Sequence, residues 1–142
     1  MVITENKING LSFPAVSGAM VIFGLGYGVD ALADVPWLRK RTIHYWGDID
    51  THGFAILSRL RGHLPQVRSL MMDEATLLAC RELWVQEESN KRFTGEPGHL
   101  TEAERALYHT LRDDRFGHGV RLEQERILFD RVIAVVDALE AD

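Results

Sequence analysis

The sequence is poor in cysteine and has no long apolar run, and both absences narrow the class of protein. Cys80 is the single cysteine among 142 residues, so an internal disulfide is excluded and nothing points to secretion. No apolar run approaches the roughly 20 residues that a membrane-spanning helix needs. Residues 1–9 carry Glu5 and Lys7 and have no apolar signal core. We therefore expect a cytoplasmic protein with no membrane partner.

Positive charge is also scarce. The 16 Lys and Arg residues are outnumbered by 21 Asp and Glu residues, which gives a formal net charge of −5. This balance excludes a simple basic coat for nucleic acid, because phosphate binding without metal normally needs clustered positive charge. If the chain meets DNA, a cation must neutralise the contact locally. The remaining composition, 46% hydrophobic and 26% charged, is typical of one globular domain.

Four short apolar runs predict the strands of an α/β fold. They are residues 2–4, 19–23, 42–46 and 67–72, and helical patterns lie between them. This alternation predicts a central, mostly parallel four-stranded sheet flanked by helices. The second and fourth runs are almost continuously apolar, which is typical of strands buried on both faces.

Helix signals accompany these strands. Val29, Leu32 and Ala33 share one helical face, and Asp73 is placed to cap a helix that follows it.

After residue 87 the pattern changes to helices and loops. A capping box begins at Thr101, and a last helix is predicted from about Val120. We therefore expect a single domain over 1–142, with an α/β core at 1–87 and a helical extension at 88–142.

Three acidic residues follow predicted strands. Glu5 comes after the first strand, and Asp48 and Asp50 come after the third. Because the carboxyl ends of parallel strands lie at one edge of a sheet, these carboxylates are expected to converge. Crowded carboxylates repel one another, and a hard divalent cation such as Mg²⁺ relieves that repulsion. The pattern therefore indicates a metal site, with Glu5 as a further ligand or as a general acid or base.

Each acid also has a purely structural interpretation. Asp50 precedes a helix and would serve as its N-cap, and Glu5 near a terminus would simply be solvated. Glu123 and Glu125 are expected in the first turn of the last helix, where negative charge favours the helix dipole. Arg121 and Arg126 flank that acidic turn and are placed to pair with it.

Three segments carry a resemblance to a known family, and they are residues 4–7, 21–27 and 45–54. An acid after the first strand and an Asp-x-Asp pair after the third make the chain resemble a Toprim domain. Residues 47–53 of the third segment also resemble the Toprim loop in the DNA-cleaving subunit of topoisomerase VI. Overall the chain is most similar to the C-terminal domain family of the Wadjet nuclease subunit JetD, whose pattern continues through residues 69–73, 100–104 and 121–126.

The resemblance implies a Mg²⁺-dependent endonuclease that hydrolyses plasmid DNA presented by an SMC-like complex of the Wadjet defence system. Glu5 matches the Toprim acid, and Asp48 and Asp50 match the metal-binding pair. Glu123 is a secondary candidate ligand for a second metal. The family implies one or two Mg²⁺ ions, with Mn²⁺ as a substitute.

Family members carry an N-terminal arm and a winged-helix region, for which no residues stand before Val2. The chain thus resembles an isolated catalytic domain of a longer protein, and a homodimer would form through that N-terminal region. The break-forming relatives attack DNA with a tyrosine from a separate upstream domain. Tyr27, Tyr45 and Tyr108 do not lie in such a domain, so water is the expected nucleophile.

Four side chains are candidate DNA contacts, namely Lys7, His52, Arg59 and Arg61. His52 follows the Asp-x-Asp pair, although a polar histidine in a first helical turn is the more common case. The two arginines belong to a modest basic stretch that is equally typical of a solvated surface.

Three other functions remain open from the sequence. One is a non-catalytic Toprim-like docking module within the same complex, which the net negative charge favours. Another is a topoisomerase-type DNA-cleaving domain. The third, a Mg²⁺ phosphatase of small molecules, fits less well, because such enzymes generally place their acidic pair after the first strand.

Overall fold

The computed structural model describes residues 1–141 of the chain, with side chains up to residue 139. The strands are β1 (Val2–Thr4), β2 (Val21–Phe23), β3 (His44–Trp46), β4 (Arg68–Ser69), β5 (Val85–Gln86) and β6 (Val120–Arg121). The α-helices are α1 (Lys7–Ser12), α2 (Thr51–His63), α3 (Glu74–Ala79), α4 (Glu102–Arg112) and α5 (Phe129–Ala141). Short 3-10 helices lie between them, the longest over Gly26–Asp34.

The predicted α/β fold is confirmed. Strands β1 to β4 form one sheet in the order β2-β1-β3-β4, and every neighbouring pair is parallel. In this register Thr4 pairs with Trp46, so β1 and β3 end side by side at the centre of the sheet. The residues that follow these two strands are therefore brought to the same edge.

The prediction that the second and fourth runs form strands buried on both faces is wrong, because neither β2 nor β4, the two edge strands, contains a buried residue. The three residues of β2 are half-buried. In the fourth run, the buried residues Leu70, Met71 and Met72 lie beyond β4, in the turn that leads to α3. These apolar residues belong to the hydrophobic core but lie outside the sheet itself.

The predicted helical face after β2 exists, but as a 3-10 helix. Val29 and Leu32 are both buried, which fits a helix with three residues per turn, where positions i and i+3 align. The caps are as predicted: Asp73 accepts a hydrogen bond from the Thr76 amide at 2.7 Å, and Thr101 forms its capping box with Glu104.

The extension after residue 87 is less helical than predicted, and its last helix begins nine residues later than expected, at Phe129. Residues Val120 and Arg121 instead form β6, which pairs antiparallel with β5. Next to it, Leu122 and Ile49 exchange backbone hydrogen bonds of 2.9 and 3.1 Å. This bridge joins the extension to the segment after β3. None of the helices within residues 1–141 is long and apolar enough to cross a bilayer.

Candidate metal centre

The ends of β1 and β3 deliver three carboxylates to one cleft. Glu5 follows β1, and Asp48 and Asp50 follow β3, so the convergence predicted from the sequence is present. The cleft has a volume of about 440 Å³. Its lining consists of Glu5, Asp48, Asp50, His52, Val85, Gln86, Glu87, Glu88, Lys91, Arg121 and Glu123.

Glu5 is held in the cleft with an unfavourable charge. Burial, together with the charges of Asp48 and Asp50, raises the pKa of Glu5 to about 7, against the hydrogen bond that the Tyr45 hydroxyl donates. Gly47 makes room for this carboxylate, because a Cβ atom there would overlap Glu5 Oε1 and lie 2.7 Å from the Tyr45 hydroxyl oxygen. The backbone after β3 is thus shaped around the Glu5 side chain.

Asp50 serves both as a helix cap and as a wall of the cleft. Its Oδ1 atom accepts a hydrogen bond of 2.7 Å from the Gly53 amide at the start of α2, so the N-cap interpretation is confirmed. Burial, together with the charges of Asp48 and Glu87, raises the pKa of Asp50 to about 6, against the hydrogen bond from the Gly53 amide. Like Glu5, Asp50 is therefore a buried carboxylate whose charged form a cation would stabilise.

Arg121 supplies the positive charge that the acids share. Its Nη2 atom lies 2.8 Å from Asp48 Oδ2 and 3.6 Å from Glu123 Oε1. Its Nε atom lies 3.1 Å from Asp50 Oδ2 without hydrogen-bond geometry, and it is a buried donor with no partner. Glu123 also pairs with Arg126 at 2.8 Å, as the sequence predicts for this acidic turn.

Glu123 lies in the cleft but not in a helix. The prediction of a first-turn position in the last helix is wrong, because a short 3-10 helix over Gln124–Arg126 follows Glu123 instead. The same holds for Glu125, which lies within that 3-10 helix. The bridge between Ile49 and Leu122 and burial at the sheet edge determine the local backbone here. They outweigh the preference of the two acids for the first turn of a helix.

Two further residues support the side chains of the cleft, and the sequence did not predict either of them. Gln124 is fully buried. Its backbone amide donates a 2.9 Å hydrogen bond to Asp48 Oδ1, and its side-chain amide donates to the hydroxyl of Thr4, next to Glu5. Glu87 is 3% exposed and accepts a 2.7 Å hydrogen bond from the Thr51 hydroxyl at the start of α2. No spacing rule identifies either residue, because their partners are distant in sequence.

The candidate DNA contacts fall in different places. His52 lines the cleft, where its Nδ1 atom lies 2.6 Å from the Tyr27 hydroxyl. Lys7 begins α1, two residues after Glu5. Arg59 forms an exposed ion pair with Asp30 and does not line the cleft.

Arg61 is brought to another part of the molecule. Its guanidinium is 12% exposed, pairs with both oxygens of Glu104, and also donates to the backbone carbonyls of Val67 and His99. This ion pair lies in a larger cleft of about 710 Å³, which Arg68 and Glu74 also line. Because Arg61 and Glu104 neutralise each other there, the smaller acidic cleft is the better candidate for a metal centre.

The acidic cleft fits a hard divalent cation by the chemistry of its donors. Carboxylate oxygens are the ligands that Mg²⁺ takes, and Glu5 and Asp50 both carry a raised pKa that a cation would lower. Within residues 1–141, however, no three His, Cys, Asp or Glu side chains are grouped tightly enough to hold a metal ion. The carboxylates surround the cleft, and the Arg121 guanidinium lies among three of them.

Comparison with known proteins gives one family. A search of curated proteins finds no match to this chain. The family described as "Wadjet protein JetD, C-terminal" matches residues 1–136. The match covers all six strands and most of α5. The chain therefore belongs to the family of the C-terminal domain of the Wadjet protein JetD.

Proposed function

We propose that this chain is a Toprim-like catalytic domain that hydrolyses DNA phosphodiester bonds with Mg²⁺, as part of a Wadjet complex with SMC-like subunits that acts on plasmid DNA. The observation that carries the proposal is the convergence of Glu5, Asp48 and Asp50 at the carboxyl edge of a parallel sheet. Membership in the Wadjet protein JetD family supports both the reaction class and the biological setting.

The residues have separable roles in this proposal. Asp48 and Asp50 would hold the cation, and Glu123 at the same cleft would hold a second one. Bound Mg²⁺ would polarise a phosphoryl oxygen and lower the pKa of a water molecule. Glu5, whose pKa of about 7 lies near physiological pH, is suited to accept or release a proton in the cleft. His52 at the start of α2 lines the same cleft, and it would contact a DNA phosphate by exchanging one of its ring-nitrogen partners, the Tyr27 hydroxyl or the Lys91 carbonyl.

The test is cleavage of supercoiled plasmid by the full-length protein together with the other subunits of the proposed Wadjet complex. We expect nicking or linearisation with Mg²⁺ or Mn²⁺, and a loss of roughly a hundredfold or more in Asp48→Asn, because catalytic electrostatic groups are worth that much. Asp73→Asn is the matched control, because this aspartate only caps α3 and asparagine is an equally good cap. Equal cutting by Asp48→Asn and the wild type would refute the proposal.

A second candidate is a docking module without catalysis. The observation that favours it is the ion pairing of Arg121 with the acids, which already supplies a cation within the described part of the chain. The two candidates differ in metal binding: a docking module needs no Mn²⁺ site in the acidic cleft, whereas the nuclease requires one. Electron paramagnetic resonance of Mn²⁺ titrated into wild type and Asp48→Asn distinguishes them.

A further inference from the structure

Arg121 contacts its carboxylates in an unusual way. One guanidinium nitrogen contacts one carboxylate oxygen of each of Asp48, Asp50 and Glu123, at 2.8, 3.1 and 3.6 Å. None of these contacts is a bidentate ion pair. Its Nε donor is buried and lacks a hydrogen-bond partner. A buried donor without a partner costs free energy, so this arrangement holds Arg121 less firmly than a well-aligned ion pair would.

Arg61 shows what a fixed arginine looks like in the same molecule. It pairs with both oxygens of Glu104 and donates to two carbonyl groups, and its side chain is 12% exposed. The side chain of Arg121 is 32% exposed and lies beside the cleft. The contrast indicates that Arg61 is structural, whereas the guanidinium of Arg121 has room to move.

The charges in the cleft point the same way. The cleft is lined by six acids, namely Glu5, Asp48, Asp50, Glu87, Glu88 and Glu123. Its lysine, Lys91, pairs with Glu88, and its arginine, Arg121, contacts Asp48, Asp50 and Glu123. The positive charge of Arg121 offsets only part of the repulsion among the acids, and Glu5 makes no ion pair with it in the described structure. A divalent cation would compensate the acids better than one guanidinium does.

We propose that Arg121 is a resident cation that competes with the divalent metal for Asp48 and Asp50, and that metal entry releases its guanidinium to bind a DNA phosphate. The inference rests on the proposed function, since it takes the acidic cleft to be the metal centre. A guanidinium matches a phosphate group with two parallel hydrogen bonds, and DNA entering an acidic cleft needs such a cation. Arg121 would thus couple metal binding to DNA binding.

The first experiment measures Mn²⁺ affinity by electron paramagnetic resonance in wild type, Arg121→Gln and Arg126→Gln. Arg126 is the matched control, because it also pairs with Glu123 but is not among the residues that line the cleft. We expect Arg121→Gln to bind Mn²⁺ roughly tenfold more tightly and Arg126→Gln to change by less than about threefold, since an exposed charge is largely screened. An unchanged or weaker Mn²⁺ affinity in Arg121→Gln would show that Arg121 stabilises the structure of the site and does not compete with the metal, and it would overturn the inference.

The second experiment measures the affinity for a short DNA duplex with Ca²⁺ in place of Mg²⁺. We expect Arg121→Gln to bind this duplex about tenfold more weakly than Arg126→Gln does, because a two-pronged phosphate contact is lost. Equal DNA affinity in the two variants overturns the release step even where the metal affinities differ as expected.

The third experiment uses the wild-type protein, so it does not depend on the folding of a variant. In ¹H–¹⁵N spectra of arginine Nε groups, the Arg121 signal should shift on Mg²⁺ addition while the Arg61 signal stays in place. An Arg121 signal that is unchanged at saturating Mg²⁺ contradicts the inference. If neither wild type nor Arg121→Gln binds Mn²⁺ at all, the proposed function itself fails, which is a different result from equal binding by both.

Discussion

Substitution of Glu5 by glutamine should make the protein more stable at pH 8 while removing its function. Glutamine keeps the shape of the side chain and an oxygen that accepts a hydrogen bond from the Tyr45 hydroxyl. It removes the charge whose burial, together with the repulsion from Asp48 and Asp50, raises the pKa of Glu5 to about 7 from 4.5. The stabilisation follows because the ionised carboxylate is disfavoured in the folded protein.

The magnitude follows from linkage between protonation and folding. Between pH 4.5 and about 7 the folded protein retains a proton at Glu5 that the unfolded chain has released, so the wild type loses stability as the pH rises. The rise in pKa corresponds to about 3 kcal/mol, which is an upper limit for the gain in Glu5→Gln at pH 8. Below pH 4.5 both forms are neutral at this position, and the two proteins should be equally stable.

The assay is urea unfolding of wild type and Glu5→Gln at several pH values from 4 to 8. Asp50, whose pKa is also raised, contributes to the slope of both proteins, so the difference between them reports Glu5 together with its repulsion from Asp50. Saturating Mg²⁺ at pH 8 should stabilise the wild type more than the variant, because the cation relieves the repulsion that glutamine has already removed. A stability difference that is absent at pH 8, or that does not vary with pH, would refute the assignment of Glu5 to the acidic cluster.

Two further predictions concern positions around the cleft and away from it. Glu104→Gln should cost roughly 3–5 kcal/mol in urea unfolding, since it leaves a buried guanidinium without its charge partner. Against the effect of burial, the pKa of Glu104 is lowered to about 2 by the Arg61 guanidinium and by the hydrogen bonds from Thr101 and Ser69. The wild type should therefore lose this stability as the pH falls from 4.5 towards 2. A wild type that loses none in this range would contradict the ion pair between Arg61 and Glu104. Gly47→Ala should abolish the stabilisation by Mg²⁺ in thermal unfolding, because its Cβ atom would overlap the Glu5 carboxylate. Gly28→Ala is the control and should behave as wild type, because no atom lies within 4 Å of the Cβ position there. Equal Mg²⁺ stabilisation in both alanine variants would show that Gly47 does not shape the site.

The placement of the acids could be predicted from the sequence, because it depends on one local rule. Strand runs followed by acids, in a parallel sheet, put Glu5, Asp48 and Asp50 at one edge regardless of the details of packing. The roles of Gln124 and Glu87 could not be predicted in this way. Their hydrogen bonds to Asp48 and Thr51 span 76 and 36 residues, and no periodicity encodes such contacts.

The extension after residue 87 shows the same limit. The apolar residues around Val120 fit a helix and a strand equally well over so short a stretch, and pairing with β5 decides for a strand. Arg61 lies in a basic stretch typical of a surface, yet its partner Glu104, 43 residues away, draws it into an internal ion pair. In both cases a tertiary contact outweighs the local preference.

The backbone bridge between Ile49 and Leu122 has a consequence for how this domain responds to its neighbours. Ile49 stands between the two aspartates of the cleft, and its amide and carbonyl are both bonded to the C-terminal third of the chain. A neighbouring protein that pushes or pulls on that third would therefore tilt both carboxylates together, without touching either of them. If the proposed metal centre is correct, this bridge would transmit a displacement of the C-terminal third to both of its aspartates through the main chain.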